Sequence, residues 1–344
     1  MTDPTAIALS GGIDSLVSAC LIKQTQNDLF GIHFLTGYER TDRSDMLQQC
    51  CRQLDIPLHV VDISADFKAT VVDYFAREYR CGRTPSPCLV CNPEVKFGVL
   101  LAKARRLGAK RLATGHYVRV DADINGRYRL RRGIDPGKDQ SYFLSRLTQY
   151  QLAQACFPLG TWTKSQVRTF AFENGLRPVT QKESQDICFI HDNSYAAFLN
   201  RSTGVRPQPG DIVDTTGNLV GAHNGLHRYT IGQRRGINCP AKEAYYVVWI
   251  DVQHNRLIVG RKDELLAENC RVREINWIGD IPQSAFAADV RIRYRHDAAS
   301  AMVYPRGQNR ATIAFDQPQS AVTPGQGAVF YRGDEVLGGG WIEN

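Results

Sequence analysis

What the chain lacks narrows it first. No apolar run approaches the ~20 residues of a membrane-spanning helix, and the opening MTDPTAIALSGG has no basic-then-apolar leader. A cytoplasmic protein with no membrane partner is the expectation. No repeat or low-complexity tract is visible. Neither charge dominates: 42 Lys and Arg face 35 Asp and Glu, a formal +7 that permits a nucleic-acid partner without requiring one. Cysteine is not scarce, at 10 residues. In a reducing compartment these are buried thiols, metal ligands or catalytic groups rather than structural disulfides.

At 344 residues the chain is long for one core and implies two or three domains. Short apolar runs at 6–10, 29–35, 57–63 and 110–114 alternate with helical patterns at 15–24, 43–54, 65–79 and 94–107. That alternation predicts a doubly wound α/β domain with a parallel sheet. From 142 to 200 the periodicity is mainly helical. After about 206, runs such as YYVVWIDV, RLIVG, ADVRIRYR, RATIAFD and GAVFYRG, separated by turn residues, predict small β-barrels. RSTGVRPQPGD (201–211) is the candidate linker.

The strand at 6–10 runs into Ser10-Gly11-Gly12-Ile13-Asp14-Ser15 and then a helix. Unpaired N–H groups and a positive dipole end converge at such a joint, so it suits an anion. There is no Gly-Lys-Ser/Thr of the Walker loop and no third glycine of a dinucleotide fingerprint. Ordinary kinase or GTPase chemistry is thereby disfavoured. The six residues resemble the SGG-x-D-S pyrophosphate loop of ATP-pyrophosphatases, which adenylate a substrate oxygen for displacement by ammonia or sulfur. The resemblance implies phosphate contacts from Ser10 and Ser15 and Mg²⁺ at Asp14.

CGRTPSPCLVCNPEVKFG (81–98) holds Cys88 and Cys91, with Cys91 read as entering a helix close to Arg83 and Lys96. A thiol so placed is expected to have a lowered pKa. SQDICFI (184–190) sets Cys188 in an apolar, strand-like run. Cys20, Cys50, Cys51, Cys156, Cys239 and Cys270 read as core or surface thiols, and Arg234-Arg235 as a candidate phosphate contact.

SGGIDS, GRTPSPCLVCN, ATGHY, KDQSYFL, FPLG, SQDICFI, GLHRYTIGQRRG, RIRYR and TPGQ occur in this order from end to end. Together they resemble the bacterial tRNA-specific 2-thiouridylases, which thiolate the wobble uridine. The resemblance implies an α/β ATP-binding catalytic domain at 1–204 with a helical tRNA-binding insert near 142–182. A central β domain at 205–266 and a C-terminal β-barrel at 267–344 follow. It implies Cys91 as nucleophile and Cys188 as persulfide carrier, joined by a disulfide after turnover. ATP contacts fall at Ala8, Leu9, Ser10, Gly11, Gly12, Ile13, Asp14, Ser15, Phe34, Leu35 and Gly115. Contacts to tRNA fall at Ser86, Pro87, Cys88, His116, Lys138, Asp139, Gln140, Arg293, Tyr294 and Gln326. The implied partners are a tRNA with a wobble uridine and a sulfur carrier or desulfurase-linked persulfide donor.

The chain departs from the family in reading Thr84-Pro85-Ser86-Pro87 where TPNP is usual, and in having Cys88 at a position that varies between Asp and Cys. Two alternatives follow from the cysteines. Cys88, Cys91 and Cys188 are three of the four ligands of a [4Fe–4S] cluster, or an incomplete zinc set. Outside thiolation, an ammonia-using ATP-pyrophosphatase and an RNA-binding protein with structural ATP remain as other classes.

Overall fold

In a computed structural model, residues 3–26, 28–39, 44–180, 187–191, 194–240 and 242–343 are described. Two compact units are present: Met1–Thr70 with Cys88–His191 and Gly333–Leu337, and Val71–Pro87 with Asp192–Arg332 and Gly338–Asn344.

The first unit carries strands β1 (Thr5–Ala8), β2 (Leu29–Leu35), β3 (Leu58–Asp62), β4 (Arg111–Ala113), β5 (Val118–Ala122), β6 (Tyr128–Arg132) and β7 (Ala155–Cys156). Five of them form a sheet in the order β3-β2-β1-β4-β7, all parallel. Their near-continuous apolar character is what a strand covered on both faces needs. Helix α1 (Ile13–Thr25) packs Leu16, Ala19 and Ile22 into a core with Ile7, Leu9, Leu29 and Leu47. Its Val17 joins a second cluster with Tyr117, Leu159 and Val167. The chain leaves β1 toward β2 on one side and reaches β4 on the other. A crevice therefore opens beyond the C-terminal ends of β1 and β4, where ligands of doubly wound sheets bind.

Strands β5 and β6 form an antiparallel hairpin that the sequence reading did not predict. Arg119 and Arg131 both donate to Asp334, at 2.7 and 2.8 Å.

In the second unit, β8 (Pro209–Asp214), β9 (Leu219–Asn224), β10 (Tyr246–Asp251) and β11 (Arg256–Gly260) make a sheet ordered β10-β11-β8-β9. Its core is Ile212, Val247, Ile250, Leu257 and Val259. β12 (Leu266–Trp277), β13 (Phe286–Arg291), β14 (Ala299–Pro305), β15 (Ala311–Ser320), β16 (Gly327–Arg332) and the 338–342 part of β17 (Glu335–Ile342) follow. Pairing of β12 with β17 closes them into a six-stranded barrel. Ala311, Ile313 and Phe315 alternate inward along β15, the period-2 pattern of a strand with one buried face. The strand expected through RIRYR stops at Arg291, and residues 292–296 turn. Among the described residues no helix is long and apolar enough to cross a membrane.

Candidate active site

Beyond Ala8 the chain turns through Ser10, Gly11 and Gly12 into α1. Gly11 has φ +83°, and a Cβ there would meet the Val179 side chain at 3.1 Å, so glycine is required. The Ser15 hydroxyl donates to the Gly12 carbonyl at 2.9 Å and accepts from Ser10 N–H at 3.3 Å. Ser10 and Ser15 oxygens lie 3.3 Å apart. The first N–H groups of a helix have no acceptor within it. Gly12, at the N-cap of α1, gives them no side-chain acceptor, and the positive end of the helix dipole lies beside two hydroxyls, which suits a phosphate. Gly115, after β4, packs against this loop so closely that a Cβ would stand 3.0 Å from the Asp14 and Ser15 backbone. Leu9 and Ser15 are buried, and Ala8, Gly12, Ile13, Phe34, Leu35 and Gly115 half-buried.

Asp14 already has partners. The Tyr117 hydroxyl donates to Oδ1 at 2.6 Å, and Lys164 Nζ donates to both carboxylate oxygens at 2.7 and 2.8 Å. Lys164 is 7% exposed, and a buried ammonium needs such a counter-ion. It opens the helix Lys164–Glu173, fixed by a capping box between Thr163 and Gln166. The donor set therefore fits Mg²⁺ only if Lys164 exchanges Asp14 for phosphate. Sequence reasoning missed Lys164; the Thr-x-x-Gln capping signature just after FPLG was the available signal.

The thiol region is carried by one helical run. Pro87–Val90 is α-helical, Cys91–Leu100 winds as a π-helix, and Leu101–Arg106 is α-helical again. Pro93 cannot donate an N–H. Gln151 Nε2 bonds the Pro93 and Phe97 carbonyls at 2.7 and 3.3 Å, and Leu101 N–H reaches the Lys96 carbonyl five residues back. Asn92 Nδ2 donates to the Phe143 carbonyl at 3.0 Å. Cys91 is half-buried, while Cys88 and Cys188 reach the surface.

The lowered thiol pKa expected at Cys91 is not found. Burial pushes Cys91 up to about 12, with Lys96 pulling the other way and Cys188 and Cys88 adding to the rise. Burial, then Cys88, raises Cys188 to about 11 against Lys96. Cys88 is raised by burial and lowered by Lys96. Two features explain the correction. The helix begins at Pro87, so Cys91 lies beyond its first turn, where the dipole is felt. Arg83 is committed to Glu78, at 2.6 and 3.0 Å.

Cys188 occupies a turn closed by Ile190 N–H on the Ile187 carbonyl at 3.0 Å, not a strand. Residues 184–186 of its motif lie outside the described residues. Cys20, Cys50, Cys51 and Cys270 are buried, and Cys156 and Cys239 half-buried. Among the described residues no three His, Cys, Asp or Glu side chains are gathered as a metal ion requires. Cys88, Cys91 and Cys188 thus do not form a cluster or zinc ligand set in this geometry.

His116 is buried, with Lys96 Nζ 3.2 Å from Nε2 and Thr114 Oγ1 2.7 Å from Nδ1. An ammonium only donates, so Nε2 accepts and Nδ1 carries the hydrogen. Burial and Lys96 hold this imidazole well below its ordinary pKa. Asp139 is also buried and accepts from Gly133 N–H, Ser141 N–H and Ser141 Oγ at 2.9–3.1 Å. Gln140 Oε1 accepts from Tyr117 N–H at 3.1 Å, and Lys138 is half-buried.

In the second unit Ser86 and Pro87 are buried. Gln326 Nε2 donates to the Thr84 and Pro85 carbonyls at 2.9 and 3.2 Å. Arg293 and Tyr294 lie in the turn after β13, Arg293 exposed and Tyr294 under the Arg291 guanidinium at 5.5 Å. Arg234 and Arg235 sit on another exposed turn.

A parallel sheet in this order, with a Ser-Gly-Gly loop at its switch point, defines a nucleotide-binding α/β domain followed by β domains. Residues 4–192 match the tRNA methyl transferase HUP domain, 196–261 the tRNA methyl transferase PRC-barrel domain and 267–342 the aminomethyltransferase beta-barrel domain. The tRNA-specific 2-thiouridylase MnmA of Desulfosudis oleivorans is 50% identical over 337 residues, covering 98% of this chain and 94% of its own. That of Geotalea uraniireducens is 44% identical over 353 residues, covering 98% and 94%. The chain belongs to the tRNA-specific 2-thiouridylase family.

Proposed function

We propose that this chain replaces the C2 oxygen of a tRNA wobble uridine with sulfur, at the expense of ATP. The names of its full-length relatives support the reaction. The observation that carries it is local: one unit holds both a phosphate loop at the sheet's switch point and the thiols Cys88, Cys91 and Cys188.

ATP sits with its phosphates on Ser10–Ser15, against Gly115, its adenine beside Phe34 and Leu35. The uracil C2 oxygen attacks the α-phosphorus, an O–P bond forms, and the α–β bridge breaks with loss of pyrophosphate. Asp14 would hold Mg²⁺, which when bound would neutralise charge on the phosphates, with Lys164 released to the same task. Cys188 enters as a persulfide loaded by a donor protein. The Cys91 thiolate attacks the Cys188 sulfur, a Cys91–Cys188 disulfide forms and the terminal sulfur departs as HS⁻. Sulfide adds to C2, and AMP leaves with the electron pair of the C–O bond. A thiol reductant then restores both cysteines. Direct attack of the persulfide on C2, followed by Cys91, has the same balance.

In this reading 1–204 performs the chemistry, with 142–182 helping to seat tRNA, and 205–266 and 267–344 grip it. Cys88, His116 and 138–140 shape the surroundings of the target base, which has to leave its stack to be reached. Arg293 offers a phosphate contact, with Tyr294 beside it in the same turn, and Gln326 adds a second tRNA-contacting position. The test is incubation with unmodified tRNA, ATP and a sulfide source, followed by nucleoside mass spectrometry. ATP-dependent 2-thiouridine is expected. Pyrophosphate release without thiolation, undiminished in Cys91→Ser, would point instead to an ammonia-using synthetase.

A further inference from the structure

Sulfur transfer as proposed above needs Cys91 as a thiolate, yet its surroundings favour the neutral thiol. Something must offset that. The π-helical winding of Cys91–Leu100 pairs backbone groups five residues apart. It therefore brings Lys96, five residues on, back toward the Cys91 side of the helix. In an ordinary α-helix a five-residue step ends about 140° away.

Lys96 is also held in place. His116 Nε2 accepts from its ammonium at 3.2 Å, and Thr114 fixes the ring from the far side at 2.7 Å. Because an ammonium has no lone pair, this bond exists only while His116 is neutral. Gly115, between Thr114 and His116, packs on the phosphate loop, so the anchor of Lys96 is set by the ATP site.

We propose that Lys96 is the electrostatic residue of the sulfur site, stabilising the Cys91 thiolate and the anionic sulfur that leaves Cys188, and that His116 is its positioning residue. The S–H proton of Cys91 leaves to solvent. Lys96 acts on Cys88, Cys91 and Cys188 alike, which supports the assignment. It rests on the thiolation reading for its purpose but not for its test.

The test is the rate of iodoacetamide alkylation at Cys91 and Cys188, peptide by peptide, in the full chain without tRNA. Each unit of pKa rise cuts thiolate tenfold, while intrinsic nucleophilicity recovers about threefold. Lys96→Met should therefore slow alkylation at pH 9 by about threefold or more at Cys91 and at Cys188. Lys96→Arg should restore part of the rate, and His116→Ala should fall between. Thermal melts establish that each variant is folded; if Lys96→Met does not fold, His116→Ala and His116→Gln carry the comparison, Gln keeping an acceptor. Rates at Cys91 unchanged in a folded Lys96→Met or His116→Ala protein overturn the proposal. Failure of the wild-type protein to thiolate tRNA would instead overturn the functional reading and leave this result standing.

Discussion

Lys164 Nζ stands 2.7 Å from Asp14 Oδ1, so a cation from a helix 150 residues downstream occupies the acid of the phosphate loop. Lysine and a divalent metal compete for the same oxygens. Lys164→Met should lower the Mg²⁺ concentration needed for half-maximal pyrophosphate release. It should also cut the maximal rate by about a hundredfold, the usual loss for one donor to a developing anion. Asp14→Ala should abolish release while leaving tRNA binding nearly intact. A Lys164→Met enzyme with unchanged rate and Mg²⁺ response would sink the exchange.

The two cysteines should separate by step. Adenylation needs no thiol, so Cys91→Ser and Cys188→Ser should both bind tRNA and accumulate adenylated RNA. A donor protein should load persulfide onto Cys188 in Cys91→Ser, which then stalls, and should fail to load Cys188→Ser. Persulfide labelling read beside iron content checks this. Iron bound by the wild type and lost from both variants would favour a cluster instead.

Gly160 is a packing constraint rather than a chemical one. A Cβ there would stand 2.0 Å from the Val118 carbonyl oxygen, a backbone atom that cannot rotate away. Gly160→Ala should cost on the order of 3 kcal/mol, read as a lower denaturant midpoint with unchanged slope. A loss below about 0.5 kcal/mol would show that this approach relaxes freely.

Cys270 is fully enclosed in β12, and burial raises its thiol from 9.0 to about 12. The fold thus favours the neutral form. That contribution is whole below about pH 9 and is lost as the pH rises from 9 toward 12. Within that window it removes about 1.4 kcal/mol per pH unit. Urea midpoints from pH 8 to 10.5 should fall less steeply in Cys270→Ala than in the wild type. Parallel slopes would refute this.

The parallel sheet and the phosphate loop were legible because both are local. β2, for example, is predicted and found at Leu29–Leu35. The Cys91 environment was misread for a physical reason. Sequence shows which charges lie nearby along the chain, but not that Pro87 starts the helix a turn earlier or that Glu78 takes Arg83. The β5–β6 hairpin was missed because its core-facing content is one buried residue per strand, Val118 and Leu130, among arginines. Nor could local pattern group Val71–Pro87 with a distant part of the chain. There Tyr79 stacks on Tyr195 with centroids 5.0 Å apart, and Phe75 meets Phe198 at 6.3 Å.

The winding of Cys91–Leu100 also determines what kind of change this stretch survives. Its geometry depends on the count of residues from Cys91 to Lys96, with Asn92 and Pro93 anchoring the winding between them. Replacing exposed Glu94 leaves the count alone. Inserting or deleting one residue there reassigns the carbonyl that each following N–H reaches, and rotates the downstream side chains out of their present register. Tolerance here is a matter of length before composition, so natural variants should differ in letters across this segment while keeping it free of gaps.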